Sequence, residues 1–407
     1  MSSSKDTTST PAAVAAAAAA AGSSSSHAAS TFEAAKKGDV DFIQTAVLNG
    51  MDVNERDSNG ESALMIAAQH GREEAVKWLA LAGARTEDTD GTLGTTALMF
   101  ACIGGHHLAA RELLRAGADA DVRFDSEDNR VTPLMFSVQY CGVARLRKKE
   151  PWAKFGATIQ ELLRGGASVD LTDKRGRTAL TFAAELGHPE VTSWLIKAGA
   201  DVEAADENGT RPLMFACRGG HAPAFMPLLG AGADPLASTS KGSTALHFAA
   251  SAGCSPIMRQ LLDKGAPIDA ETKDGDTPLS LAVSAGAVGS VGFLVKAGAA
   301  LDLEDKEGRS CLDLATIMFS MFPEEARQVI IRFLQNNGAA FKLIDADMIK
   351  ESHEAAAALG VQTDAEGKFS LAGAAATLPP PPPPPPLGGV AEEERGGDGG
   401  GGGGKGN

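Results

Sequence analysis

Eight histidines and five cysteines are the residues of this 407-residue chain best suited to hold a metal or attack a substrate. Zinc sites and dithiol redox centres bring their ligands together in pairs such as C-x-x-C. Here Cys102, Cys141, Cys217, Cys254 and Cys311 are scattered, odd in number and without such a pair, which reads as reduced, packed thiols. Gly104-Gly105 and Gly219-Gly220 invite comparison with phosphate-cradling loops, but the chain has no G-x-x-x-x-G-K-[ST] string. One cluster suggests binding. Arg145, Arg147, Lys148, Lys149 and Lys154 stand against a single Glu150 and surround Trp152. A net charge of −15 and a pI near 5.0 argue against a nucleic-acid surface, which draws on clustered Lys and Arg, and favour cationic partners.

These residues are positioned by a repeat. The strings SALMIAA from Ser62, TALMFAC from Thr96, TPLMFSV from Thr132 and TALTFAA from Thr178 recur as RPLMFAC from Arg211, TALHFAA from Thr244, TPLSLAV from Thr277 and SCLDLAT from Ser310. From Thr178 onward each copy starts 33 residues after the last. Ser or Thr followed by Ala or Pro suits a helix start, where the hydroxyl caps free amides. A Gly-His turn follows at His106, His188 and His221, and then a second helix with a paired apolar step such as Leu195-Ile196. That helix ends in Ala-Gly-Ala, a left-handed glycine cap, and a polar Asp-x-x-Gly turn such as Asp206 to Gly209 leads to the next copy. Shared slots decide the chemistry: Cys102 with Cys217, and Met65 with Met99, Met135 and Met214, recur at fixed places and read as core packing. The acidic pairs recur in the turns. No cofactor, metal or enzymatic activity is expected.

A 33-residue period with a T-P-L-H-x-A-like string resembles the ankyrin repeat. The resemblance implies an all-α solenoid of helix-turn-helix units with projecting β-hairpin fingers, in which His247 of T-A-L-H holds the turn. It also implies a function in binding another protein along the face made by finger tips and first helices. Mapping that face onto this chain selects Tyr140, Arg175, Arg177, Glu185, Asn208, Arg218, Lys241, Lys273 and Asp274, besides Asn59, Glu61, Gln69 and His70 near the start. An incomplete first copy near Ser30 serves as a polar N-terminal cap, so about nine units cover residues 30–340.

Departures from the repeat add detail. The fourth copy runs 46 residues from Thr132 to Thr178, with about 13 extra residues expected as a loop between its two helices, over 141–155. That loop is either solvated or a docking element presenting Arg145, Arg147, Lys148, Lys149 and Trp152 to an acidic partner segment. The turn before it is longer and acidic, carrying Asp119, Asp121, Asp125, Glu127 and Asp128, and is either solvated or paired with the basic loop. In the last copy Met318, Phe319, Met321 and Phe322 are expected to close the core. A capping helix is expected over 345–359, within a capping region at 341–372.

Both ends are of low complexity: a Ser/Ala-rich leader at 1–29 and a Pro/Gly-rich tail at 373–407 are expected to be disordered. Pro379 to Pro386 favours a polyproline II helix, read first as a spacer and second as a ligand for a polyproline-binding domain. No stretch approaches the about eighteen consecutive apolar residues of a membrane span. The expectation is a monomeric cytoplasmic or nuclear protein; the alternative is a plastid or mitochondrial one, should residues 1–29 be a transit peptide lacking the usual arginines. The functional expectation is a scaffold or adaptor, with a stoichiometric inhibitor or chaperone as the alternative and a nucleic-acid-associated regulator disfavoured by the acidity.

Overall fold

The structure is a computed structural model, and it describes residues 25–91, 94–125, 130–147, 152–317 and 324–339, with two short strands at 362–363 and 369–370. The repeat strings become short first helices because their apolar residues are continuous and are covered on every side. In the chain's first unit, α1 (Ser25–Lys37) pairs with α2 (Val40–Leu48), and α1 begins five residues ahead of the expected boundary at Ser30. The pairs α3 (Ala63–Gln69) with α4 (Glu73–Leu81) and α5 (Ala97–Gly104) with α6 (His107–Arg115) follow. The fourth unit holds the β1 (Phe124–Asp125) and β2 (Arg130–Val131) finger, then α7 (Pro133–Arg147) and α8 (Trp152–Arg164). Regular pairs resume with α9 (Ala179–Glu185) and α10 (Pro189–Lys197), α11 (Pro212–Arg218) and α12 (Ala222–Gly230), α13 (Ala245–Ser251) and α14 (Ser255–Asp263), and α15 (Pro278–Ser284) and α16 (Val288–Lys296). The ninth is α17 (Cys311–Ile317) with α18 (Glu324–Asn336).

Each first helix packs on its own second helix and on the first helices of the adjoining units, giving two layers of helices in one unit of the chain. The core is one contiguous cluster in which alanines such as Ala67, Ala101, Ala183, Ala216 and Ala249 let the first helices approach. Met65, Met99, Met135 and Met214 are all buried, as their shared slot requires.

The helix starts are capped as their hydroxyls predict. The Oγ atoms of Ser62, Thr178 and Thr277 accept from the amides three residues on, at 3.3, 3.3 and 3.1 Å. Arg211 departs from this, making no side-chain cap and leaving Pro212 to begin α11. Second helices end on a glycine such as Gly199, whose φ of 94° is open to a residue without Cβ.

A separate small element closes the described chain. β3 (Gln362–Thr363) pairs antiparallel with β4 (Phe369–Ser370). The pair lies beyond the helix expected at 345–359, at the end of the capping region 341–372; the β-branched Thr363 and aromatic Phe369 are residue types that favour strands. The helix expected at 345–359, the apolar group at Met318 to Phe322, the leader before Ser25 and the proline run Pro379 to Pro386 lie outside the described residues.

The insertion also differs from expectation. It does not form a long loop: it lengthens both helices of the fourth unit, to 15 residues in α7 and 13 in α8, and only 148–151 separates them. Ala144, Arg145, Leu146 and Arg147 favour helix. Trp152 begins an apolar stripe that continues through Phe155, Ile159 and Leu162 at helical spacing, all three of them buried.

A candidate partner-binding cleft between the fifth and sixth units

The fingers are built by their acidic residue. Asp173 Oδ1 accepts from the amides of Arg175 and Arg177 at 2.9 and 2.8 Å, and Asp206 Oδ1 does the same for Asn208 and Thr210. Thr272 stands in this role two fingers later, its Oγ1 accepting from the amides of Asp274 and Asp276. Successive finger tips are then tied by backbone hydrogen bonds: Glu207 N–H to Arg175 O, Ser240 N–H to Asn208 O, Lys273 N–H to Lys241 O and Lys306 N–H to Asp274 O, at 2.8–3.0 Å. This ladder fixes the backbone and leaves tip side chains free for other work.

At the fifth and sixth units those side chains line an open-sided cleft of about 330 Å³, bounded by Arg175, Arg177, Asp206, Glu207, Asn208, Phe215 and Arg218. Four of the residues selected from the sequence, Arg175, Arg177, Asn208 and Arg218, meet there. Glu185 sits beside them, 2.5 Å from Arg218 and 3.8 Å from Arg177. Two guanidiniums lie over aromatic rings: Arg177 is 4.4 Å from the Phe182 centroid and Arg218 4.5 Å from that of Phe215. Arg177 is further pinned 2.9 Å from the fully buried Asp173 carboxylate, so it reads as structural. Arg175 is exposed, and its guanidinium has no ion pair among the described residues.

Phe215, Asp206 and Glu207 line the cleft without having been selected from the sequence. Their signal was present: Phe215 and Arg218 are three residues apart on one helix, the spacing at which side chains meet.

The other selected residues lie elsewhere. Tyr140 is half-buried and stacks on Phe155 with centroids 6.4 Å apart, and burial pushes its phenol pKa up. It belongs to an aromatic series running from Phe124 of β1 through Phe136, so its ring packs within the fourth unit while remaining partly exposed. Arg145 and Arg147 fall in the last turn of α7, and Lys148 and Lys149 lie outside the described residues. Trp152, 38% exposed, opens α8 and flanks Gly156 together with Trp194; a Cβ on Gly156 would stand 3.3 Å from the Trp194 ring. Lys241 and Lys273 are exposed on the ladder, and Asp274 pairs with Lys306 at 2.9 Å, an interaction that lowers its pKa. Asp121 of the long acidic finger accepts from the Ser168 amide at 2.8 Å, tying the next unit.

The thiols and imidazoles behave as packing groups. Burial pushes Cys102 and Cys311 up to about 12 and Cys217 higher still, so none is a thiolate near neutrality. His247 is buried, with Nδ1 2.8 Å from Thr244 Oγ1 and Nε2 3.1 Å from Asp276 O, joining its helix cap to the adjacent finger. His106 Nε2 lies 3.0 Å from Gln69 O in the preceding unit. Among the described residues no three His, Cys, Asp or Glu side chains gather as a metal site, and no helix is long and apolar enough to cross a membrane.

The family profile described as ankyrin repeats (3 copies) matches residues 31–123, 152–239 and 220–307, well over half the chain. The chain belongs to the ankyrin-repeat family. The match passes over 124–151, the long finger and the extension of α7, where this chain is most its own. Similar proteins include the putative ankyrin repeat protein YahD of Escherichia coli, 30% identical over 40% of this chain and 92% of that protein. A putative ankyrin repeat-containing protein of Treponema pallidum is 37% identical over 37% of this chain and 46% of its own length. The E3 ubiquitin-protein ligase XBAT33 of Arabidopsis thaliana is 38% identical over 20% of this chain but only 16% of the ligase. Ankyrin repeats are protein-protein interaction modules, and these similarities lie in the repeats.

Proposed function

We propose that this ankyrin-repeat chain is a scaffold or adaptor that binds a partner protein through its finger tips and first helices, centred on the cleft between the fifth and sixth units. The observation that carries this reading is the convergence of Arg175, Asn208, Phe215 and Arg218 on one cleft whose backbone is fixed by the finger ladder. A rigid backbone limits the ordering cost of association, and arginine and aromatic side chains are the ones that most often dominate binding. The chain contributes binding and no catalysis of its own; the similarity to a ligase covers only 16% of that protein. Five free cysteines support a reducing compartment, cytoplasmic or nuclear.

The test is cross-linked capture from source-cell lysate with the full chain, compared with an Arg175→Glu, Arg218→Glu variant that melts like the parent. The variant is expected to lose a defined subset of captured proteins, as burial of an unpaired or reversed charge costs an interface several kcal/mol, roughly 2–5. An unchanged captured set contradicts the cleft as the binding centre.

A further inference from the structure

Resting on that reading, we propose that the cleft takes an acidic segment of the partner, one carboxylate of which is gripped between Arg175 and Arg218. The argument is one of charge left over. Elsewhere in the array three half-buried arginines are each closed by two carboxylates, Arg309 by Asp305 and Glu307, Arg211 by Glu203 and more distantly Asp234, Arg111 by Glu73 and Glu112, whereas exposed arginines such as Arg85 and Arg259 share with Arg175 the lack of an ion pair among the described residues. In the cleft the carboxylates are largely committed to other partners. Glu185 is shared between Arg177 and Arg218, Asp173 is fully engaged with Arg177 and two amides, and Asp206 accepts two amides of its own finger. Arg175 has no carboxylate at all among the described residues.

Geometry adds to charge. The stack of Arg218 on Phe215 and its bond to Glu185 hold the planar group in place, so its remaining N–H edges are presented without further ordering. A guanidinium offers a fork of donors that matches a carboxylate. Asn208, exposed on the same finger tip as Glu207, supplies a neutral donor and acceptor beside the two arginines, suited to a peptide backbone. Glu207 on the rim repels a doubly charged group more than a single carboxylate, which favours aspartate or glutamate over a phosphorylated residue.

A random peptide library displayed on phage and panned against the immobilised full chain tests this. Recovered peptides are expected to be enriched in Asp and Glu, and synthetic copies should bind about tenfold or more weakly to Arg175→Ala and to Arg218→Ala. Arg218→Lys, which keeps the charge but not the fork, should also weaken them, whereas Lys306→Ala should not; melting curves confirm that each variant is folded. Binders without acidic residues, or acidic binders indifferent to both arginine variants, overturn the proposal while leaving protein binding intact. Recovery of no binder also overturns it, and the cleft reading is then decided separately by the capture experiment.

Discussion

The fourth and sixth units occupy equivalent places in the array but are held by different means. The sixth has a short finger organised by Asp206, a backbone link from its tip to the next finger, and a seven-residue first helix. The fourth has a longer paired finger, a 15-residue first helix and an aromatic series, Phe124, Phe136, Tyr140 and Phe155, running from finger to second helix. Where hydrogen bonds between neighbours set the backbone, side chains at the tips are free to bind. Where the finger has outgrown that register, aromatic side chains take over the work of holding it, and Tyr140 is half-buried among them. The irregular unit attracts attention in the sequence, yet the cleft lined by Arg175 and Arg218 lies in the regular part.

If that contrast is right, removing an aromatic from the fourth unit should cost more than disturbing a finger link. Phe155→Ala deletes a buried ring that Tyr140 stacks on, and a loss of about 3–5 kcal/mol is expected. Urea unfolding followed by the fluorescence of Trp152 and Trp194 measures it; a loss below about 1 kcal/mol would show the series to be incidental. Gly60→Ala probes a finger link. With φ at 77°, a Cβ there would stand 2.5 Å from the Gly91 nitrogen, which donates to Asn59 O. Strain of about 1–3 kcal/mol is expected, read as faster amide exchange confined to the second and third fingers.

The smallest effect is one of pH. Burial holds the folded pKa of His247 below its ordinary 6.5, so the unfolded chain binds a proton more readily. Stability from this residue is therefore full above 6.5 and is lost as pH falls from there through the lower folded value. His247→Gln should flatten the pH dependence of melting in that window, and an unchanged slope would assign it to other groups.

Much of this was legible in the sequence because the repeat constrains it. Thr178, His247 and Asp206 each do what their slot implies: a cap, a turn lock, a finger anchor. The insertion was misjudged because register, not periodicity, was followed. Trp152 lies outside the 33-residue frame but inside the helical stripe that ends at Leu162. The cleft was half legible: the frame selects Arg175 and Arg218, but which carboxylates remain to satisfy them depends on pairings across units, such as Arg218 with Glu185, 33 residues apart.

The most direct test of the account is hydrogen exchange of the full chain with and without a partner recovered by capture. Protection is expected at the finger and first-helix amides from Arg175 to Arg218, with little change at α7 and at the start of α8 around Trp152. Protection centred on residues 140–155, with the cleft unchanged, would place the interaction on the irregular unit and contradict the account.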